Sequence, residues 1–229
     1  MKIAILGDDP KQTDLVYDVL AASGHICSLF HSGKALLNQL EGETYEMLIL
    51  DWQVSDLSGS EILRWVRNKL PSVLPVLFIT SRSGEDDILE GLAAGANDYM
   101  IKPIRRSELV VRVQALLRRA YPLQRTSGQI VFGDYLFDTR AGRVSIAGKR
   151  IETSQKEFDL ALLLFGNIDR PLSRAYILEE VWSRDINIPS RTLDTHVSRV
   201  RSKLKLQGGG NSYQLAPVYS YGYRLEKLI

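Results

Sequence analysis

The chain has 229 residues, enough for two domains, and its 45% hydrophobic and 24% charged residues are typical of a globular protein. No apolar run approaches the ~20 residues needed to cross a bilayer, and Met1 leads directly into a predicted strand without a signal-peptide pattern. Cys27 is the only cysteine, which excludes an internal disulfide. We therefore expect a cytoplasmic protein with no membrane partner.

Charge divides the chain into two unlike halves. Residues 1–120 carry 13 basic and 16 acidic side chains, a net charge of −3, whereas residues 121–229 carry 16 and 11, a net charge of +5. This asymmetry predicts two domains with different tasks. A short polar stretch with proline and glycine at 120–128 indicates a linker, so the predicted domains are 1–119 and 129–229.

Apolar strand patterns alternate with helical patterns through the first half. Strands are predicted at 2–6, 25–30, 47–51, 75–80 and 98–101, and helices at about 11–22, 33–40, 58–69, 85–94 and 105–119. Five such units predict an α/β doubly wound, five-stranded parallel sheet with the strand order 2-1-3-4-5. Its switch point, where such sheets bind ligands, lies between the first and third strands.

Polar side chains stand where four of these strands end. Asp8 and Asp9 follow the first strand, Asp51 ends the third, Thr80 ends the fourth and Lys102 follows the fifth. Because the motif contains no His or Cys, converging carboxylates predict a hard cation, and Mg²⁺ suits them better than Ca²⁺. Asp51 could then attack a phosphoryl group and become an acyl phosphate. Mg²⁺ and Lys102 would offset the charge, and Thr80 would donate its hydroxyl to a phosphate oxygen.

The second half has a different order of elements. Alternating apolar and polar residues at 129–152 predict a small antiparallel sheet. Helical patterns follow at about 154–167, 173–182 and 191–205, with Thr153 and Ser173 as the predicted caps of the first two. A hairpin pattern ends the chain. The order of sheet, three helices and hairpin predicts an α+β winged helix-turn-helix domain.

The helix predicted at 191–205 carries two contrasting faces. At about 100° per residue, the apolar side chains fall on one stripe: Leu193, Val197, Val200 and Leu204. Small polar side chains lie opposite, and basic residues accompany them: Thr195, Ser198, Ser202, Arg191, Arg199, Arg201 and Lys203. Such a face predicts entry into the major groove of DNA. By itself it is equally typical of a solvated basic surface.

The polar residues of the first half resemble a known motif set. Together they are similar to the receiver domain of two-component response regulators, a flavodoxin-like domain, over residues 1–119: Asp8-Asp9, Asp51, Thr80 and Lys102-Pro103. The resemblance implies that Asp51 is the phosphoacceptor and that Asp8 and Asp9 bind Mg²⁺. It also implies a further ligand in the backbone carbonyl of Gln53.

Two aromatic residues accompany this motif. The resemblance implies that Tyr99 is a switch aromatic, which moves together with Thr80 when phosphate arrives. Trp52 stands where the family usually has an aliphatic residue, and Ser55 where it often has Pro. Trp52 either restricts access to Asp51 or packs into the core.

The stretch from Gly91 to Tyr99 resembles the OmpR/PhoB subfamily. Receivers of that subfamily pair through a face made of helix 4, strand 5 and helix 5, here predicted at 85–94, 98–101 and 105–119. Charged positions of that face correspond to Asp98, Glu108 and Arg112. Ile88 stands where the subfamily usually has Arg or Lys, and Asn97 where it often has Asp. Because exposed ion pairs contribute only ~0–1 kcal/mol each, a homodimer is still expected.

The second half is similar to the OmpR/PhoB effector domain over about 129–229. The similarity is carried by Glu157-Phe158, Val181-Trp182, the segment 191–204 and Gly222-Tyr223-Arg224-Leu225. It implies that the helix at 191–205 binds DNA, that the hairpin is the wing, and that the segment 182–190 contacts RNA polymerase. Tyr219 stands where the family has a wing arginine, which predicts weaker minor-groove readout, with Lys205 or Arg224 as substitutes.

These resemblances imply a response regulator that a sensor histidine kinase phosphorylates on Asp51. A homodimer would then bind promoter DNA at direct-repeat half-sites, with no enzymatic activity beyond its own phosphoryl transfer and dephosphorylation. Two alternatives remain open. One is a phosphorylation-independent DNA-binding dimer that uses the receiver only for dimerisation. The other is a Mg²⁺-dependent phosphotransferase that acts on small molecules.

Overall fold

The computed structural model describes residues 1–70, 74–81, 91–121, 128–182, 190–208 and 212–228. They belong to two compact units, Met1–Ala120 and Tyr121–Ile229. Several predictions fall outside the described residues: Ile88 with most of its helix, and most of the segments 120–128 and 182–190. None of the helices in the described ranges is long and apolar enough to cross a membrane.

The first unit is built on a parallel sheet of five strands. They are β1 (Lys2–Leu6), β2 (Ile26–Phe30), β3 (Met47–Asp51), β4 (Val76–Thr80) and β5 (Asp98–Ile101). The order β2-β1-β3-β4-β5 confirms the predicted doubly wound topology. All four pairings are parallel, so the carboxyl ends of the strands share one edge of the sheet.

Helices of this unit begin at the polar residues that follow the strands. The described helices are Pro10–Ala22, Gly33–Leu40, Gly59–Lys69 and Arg106–Ala120, and residues 91–93 are also helical. Asp9 caps the first helix, with Pro10 in its first turn. Ser58 caps the third and forms a reciprocal capping box with Glu61. Asp9 therefore both caps a helix and lies at the carboxyl edge of the sheet.

Trp52 packs in the core of this unit, which is the second of the two roles predicted for it. Its side chain is only 4% exposed, and its ring packs against Phe78 with 4.8 Å between the ring centroids. A Cβ atom at Gly91 would come within 2.9 Å of the Trp52 ring, so this glycine allows the close approach. Trp52 therefore packs in the core beside the site.

Arg67 joins the end of a helix to the loops that precede β4 and β5. Its guanidinium donates to the carbonyl oxygens of Gly95 and Leu74 and to Oδ1 of Asn97, at 2.8–3.0 Å. The same Asn97 oxygen accepts the backbone N–H of Val76 at 2.8 Å. Asn97 thus has a structural role inside the unit.

The second unit begins with an antiparallel sheet of four strands. They are β6 (Gln129–Phe132), β7 (Tyr135–Asp138), β8 (Arg143–Ile146) and β9 (Lys149–Ile151), in that spatial order. Ala147 and Gly148 connect the last two strands and have φ angles of 47° and 77°. Two consecutive left-handed residues match the twist of a two-residue hairpin.

Three helices follow, at Gln155–Phe165, Arg174–Trp182 and Ser190–Lys203. The cap of the first is Ser154, not the predicted Thr153, because Ser154 completes a capping box with Glu157. The predicted cap Ser173 accepts the backbone N–H of Tyr176 at 3.1 Å. Apolar side chains from this sheet and these helices form one buried cluster.

The chain ends in the predicted hairpin, formed by β11 (Tyr213–Val218) and β12 (Gly222–Lys227), and the short strand β10 (Leu172–Ser173) pairs with β12. A side chain at Gly222 would collide with the carbonyl oxygen of Leu172. The glycine therefore lets the hairpin attach to the rest of the domain. Sheet, helices and hairpin together confirm the winged helix-turn-helix architecture.

Candidate functional site

Asp51 and Lys102 meet at the carboxyl edge of the parallel sheet. Lys102 Nζ lies 2.6 Å from Asp51 Oδ2, and the two side chains are 17% and 13% exposed. The other carboxylate oxygen, Oδ1, accepts the backbone N–H of Gln53 at 3.3 Å. The strand ends therefore place a carboxylate and an ammonium in contact at a rim that solvent reaches.

Asp9 lies in the same cavity as Asp51, whereas Asp8 does not line it. The cavity is lined by Asp9, Gln12, Asp51 and Lys102 together with apolar side chains. Asp9 accepts the backbone N–H of Lys11 at 3.0 Å, and Asp8 is exposed. Across the described ranges, no three His, Cys, Asp or Glu side chains form a group that could hold a metal. The expected convergence of three carboxylates is thus reduced to two.

Two carboxylates are nevertheless a suitable donor set for Mg²⁺. This ion keeps several waters and is commonly held by one or two carboxylates together with phosphate oxygens. Asp9 and Asp51 both line the cavity and supply such oxygens, and the exposed Gln53 belongs to the loop that follows Asp51. The residues present therefore fit the ion in chemistry.

Thr80 and Tyr99 lie on adjacent strands of the sheet. Thr80 is fully buried at the end of β4, opposite Ile101 of β5. Tyr99 is 8% exposed, and its ring centroid lies 6.4 Å from that of Phe78. Phe78 also contacts Trp52, so the aromatic rings connect the strand of Asp51 to β5.

The described charged residues of the predicted dimer face pair with one another inside the chain. Arg112 donates to both carboxylate oxygens of Asp98 at 2.9 Å and to Glu108 Oε1 at 2.8 Å. Hydrogen bonds to Asp98 and Glu108 raise the pKa of Arg112. Large apolar side chains on the same elements are exposed: Leu92, Ile101 and Val111.

The helix Ser190–Lys203, named the recognition helix from here on, has the two faces that the sequence predicts. Its apolar stripe is buried: Leu193, Val197 and Val200, with Leu204 following the helix. The opposite face is exposed: Arg191, Thr195, Ser198, Arg199 and Ser202. The pattern therefore distinguishes a packed face from one that is available to a ligand.

Two of the predicted DNA-binding cations contact the domain itself. Arg201 Nε donates to the carbonyl oxygen of Leu215 in β11 at 3.0 Å. Lys203 Nζ lies 2.7 Å from Oε2 of Glu157, a carboxylate that is 3% exposed. Arg201 and Lys203 thus hold the recognition helix against the hairpin and against the helix Gln155–Phe165.

A second set of contacts was missed by sequence reasoning. Asp194 Oδ1 accepts from Arg174 Nη1 at 2.8 Å and from the Tyr223 hydroxyl at 2.5 Å. These bonds, led by that from Arg174, lower the pKa of Asp194. The only acidic residue of the recognition helix therefore fixes it to the preceding helix and to β12. The signal available in the sequence was that single carboxylate among basic residues.

His196 and Tyr219 occupy opposite environments. His196 Nδ1 lies 2.8 Å from the Thr192 carbonyl oxygen, and its ring packs edge-on against Trp182. Tyr219 is 97% exposed at the tip of the hairpin, next to Ser220, whose φ is 56°. The substitute cation Arg224 is ion-paired with Glu226. The wing tip therefore presents an aromatic ring where the resemblance implies an arginine.

Comparison with known families matches both units. Residues 3–114 match the response regulator receiver domain, and residues 148–225 match the C-terminal domain of transcriptional regulatory proteins. The phosphate regulon transcriptional regulatory protein PhoB of Rhizobium meliloti is 33% identical over 226 residues, which is 98% of each chain. The transcriptional regulatory protein ResD of Bacillus subtilis is 30% identical, over 98% of this chain and 95% of its own.

A solved structure is also similar to about half of the chain. A two-component response regulator from Clostridium difficile has a TM-score of 0.50 and 26% identity, and covers 52% of this chain and 97% of its own. The sequence relatives extend this similarity to nearly the full length. Both units therefore correspond to described protein families.

Proposed function

Because the chain belongs to the OmpR/PhoB family of two-component response regulators, we propose that phosphoryl transfer to Asp51 controls its binding to DNA. As a member of that family it is a DNA-binding transcriptional regulator, and regulators of this kind act with a histidine kinase. The contact between Asp51 and Lys102 is the observation that carries the finer proposal.

In the proposed reaction, an oxygen of Asp51 attacks the phosphorus of a phosphohistidine on the kinase. The new P–O bond forms as the P–N bond breaks, and the imidazole leaves with the electron pair and takes up a proton. Bound Mg²⁺ supplies charge compensation to the phosphoryl oxygens. Asp9 and Asp51, with Asp8 and the carbonyl of Gln53, would hold the ion. The Lys102 ammonium then contacts the phosphoryl oxygens and leaves its contact with the Asp51 carboxylate.

Thr80 and Tyr99 would change conformation in response to phosphorylation. The phosphoryl group adds a charge of roughly −2 and three acceptor oxygens next to the end of β4. The Thr80 hydroxyl donates to one of these oxygens, and Tyr99 on the adjacent strand repacks with it. The aromatic contacts between Trp52, Phe78 and Tyr99 support this route from Asp51 to β5.

The face containing β5 and the helix Arg106–Ala120 is the proposed dimer face, with Ile88, Asp98, Glu108 and Arg112. Its exposed Leu92, Ile101 and Val111 would supply apolar contact area. The ion pairs that Arg112 makes within the chain must rearrange if they are to join two protomers. Dimerisation then brings two effector domains to direct-repeat half-sites about one helical turn apart.

DNA recognition is assigned to the exposed face of the recognition helix: Arg191, Thr195, Ser198, Arg199 and Ser202. Arg201 and Lys203 would act mainly by orienting that helix, because both are engaged with the domain. Tyr219 would place an aromatic ring, without charge, at the minor groove. The segment 182–190 is the proposed contact with RNA polymerase.

The proposal is tested by phosphoryl uptake. The full chain is incubated with Mg²⁺ and acetyl phosphate, the modified residue is identified by peptide mass spectrometry, and the oligomeric state is followed by light scattering. We expect a mass increase of one phosphoryl group on Asp51, none in Asp51→Asn, and a shift towards dimer. The matched control Asp18→Asn, at an exposed helical position, should keep the uptake. No uptake by a protein that is already dimeric would favour the phosphorylation-independent alternative.

A further inference from the structure

Gln12 lines the cavity beside Asp51 and has no part in the chemistry described so far. It lies in the first turn of the helix Pro10–Ala22, three residues after Asp9. Its Nε2 donates to Asp9 Oδ2 at 2.8 Å. Its Oε1 is buried and accepts no hydrogen bond from any of the described residues.

The carboxylate of Asp9 determines how the Gln12 amide is oriented. An ionised carboxylate only accepts hydrogen bonds, so the amide nitrogen must face it and the amide oxygen must face away. Buried carbonyl oxygens are nearly always hydrogen-bonded in folded proteins. Gln12 belongs to the lining of the cavity that holds Asp9 and Asp51, so a ligand of that cavity is the candidate donor to this buried oxygen.

The chemistry of the cavity restricts that ligand. Phosphoryl oxygens are acceptors, so they cannot satisfy Gln12 Oε1. A water bound to Mg²⁺ is polarised by the ion and is a good donor, and Mg²⁺ commonly keeps several such waters. Groups that hydrogen-bond to the ligands of a metal orient them and strengthen binding.

We propose that Gln12 is a positioning residue for Mg²⁺, holding Asp9 through Nε2 and accepting a hydrogen bond from an ion-bound water through Oε1. The inference rests on the proposed function, since that function assigns Mg²⁺ to this edge of the sheet. It adds a residue that the resemblance to the family does not assign. The spacing between Asp9 and Gln12 places both on the same side of the first helical turn.

The test is Gln12→Met, which keeps the length of the side chain and removes both polar atoms, with Gln39→Met on an exposed helical position as the matched control. Mg²⁺ binding to the unphosphorylated full chain is measured by titration calorimetry. We expect the dissociation constant for Mg²⁺ to rise about 10–100-fold in Gln12→Met and to stay unchanged in Gln39→Met.

Thermal unfolding in EDTA separates positioning from a structural role. Because methionine also removes the hydrogen bond from Nε2 to Asp9, the midpoint of the receiver transition in EDTA should fall by about 3–6 °C. The increase in that midpoint caused by Mg²⁺ should shrink as well. If Gln12→Met does not fold, Gln12→Ala is measured in the same way. A Mg²⁺ dissociation constant within about twofold of wild type in a folded variant overturns the inference.

A loss of stability in EDTA that accounts for the whole effect also overturns it. Phosphoryl uptake is measured on the wild-type chain in parallel. Mg²⁺ binding without uptake on Asp51 would refute the proposed function and leave the Gln12 inference to its own result. A wild-type chain that does not bind Mg²⁺ refutes both.

Discussion

The ion pair between Glu157 and Lys203 allows a quantitative test of how the recognition helix is held. Glu157 completes the capping box of the helix Gln155–Phe165 with the cap residue Ser154. Its Oε2 accepts the backbone N–H of Ser154 at 2.8 Å and contacts Lys203 Nζ at 2.7 Å. Burial by itself raises the pKa of Glu157, but the bonds from Lys203 and Ser154 outweigh it and lower the pKa overall. The carboxylate is therefore ionised and paired in the folded domain.

Replacing Glu157 with Gln keeps the volume and a capping oxygen but removes the charge that Lys203 neutralises. Breaking a fully buried pair costs about 3–5 kcal/mol. The Lys203 side chain is 38% exposed and can be solvated in the variant, so we expect a loss of about 1–2 kcal/mol. For a unit of this size, such a loss lowers the unfolding midpoint by about 5–10 °C.

Differential scanning calorimetry of the full chain measures this change, with the receiver transition as the internal control. A double-mutant cycle with Lys203→Met isolates the coupling, which we expect to exceed about 0.5 kcal/mol. Because the folded-state pKa of Glu157 is lowered, its stabilisation is present above the ordinary glutamate range and is lost as the pH falls through the folded value. Glu157→Gln should lack that pH dependence.

Additive effects of the two substitutions, within about 0.3 kcal/mol, would refute this reasoning. A change in DNA affinity caused by Lys203→Met but not by Glu157→Gln would then make Lys203 a direct DNA contact, as the sequence predicts.

Three further predictions concern single arginines and the wing. Arg199→Ala should reduce the salt slope of DNA binding by about 0.9, since an exposed cation that contacts phosphate releases one counterion. Arg201→Ala should instead lower the stability of the effector domain by about 1 kcal/mol. Fluorescence anisotropy across salt concentrations measures the first effect, and calorimetry measures the second. Tyr219→Arg should steepen the salt slope by about 0.9 and increase affinity for A-tract sites over G·C-rich ones; equal gains on both would argue against minor-groove readout. Arg67→Ala should lower the stability of the receiver domain by about 2–4 kcal/mol, because the carbonyl oxygens of Gly95 and Leu74 lose a charged donor. A loss of stability below about 0.5 kcal/mol would contradict the structural role of Arg67.

Local patterns were sufficient for most of the order of the described elements in both units, although the short strand β10 was not predicted. Continuous apolar strands such as Met47–Asp51 predicted a parallel sheet covered on both faces, and the apolar stripe of Leu193 and Val197 predicted which side of the recognition helix is buried. Both are consequences of periodicity, which short segments contain completely. The helix cap shows where local patterns become insufficient. Thr153 was predicted, but Ser154 is the cap, because, of two adjacent hydroxyl residues, only Ser154 forms the capping box with Glu157.

Residue type and position along strands were also sufficient to bring Asp51 and Lys102 to one edge of the sheet. In a parallel sheet all carboxyl ends share an edge, whatever the loops do. The distances among the side chains at that edge depend on rotamers and neighbours, so only the tertiary structure showed Asp9 and Gln12 in the cavity and Asp8 outside its lining.

Sequence alone therefore determined the two folds, the acidic edge and the basic helix, because each follows from local periodicity and strand topology. Tertiary structure decided which basic side chains of the recognition helix are engaged within the domain. Arg199 and Arg201 are two residues apart and chemically identical, yet the first is exposed and the second donates to Leu215. The acceptors that pair with Arg201 and Lys203 lie 14 and 46 residues away in the chain, and only folding brings those partners together.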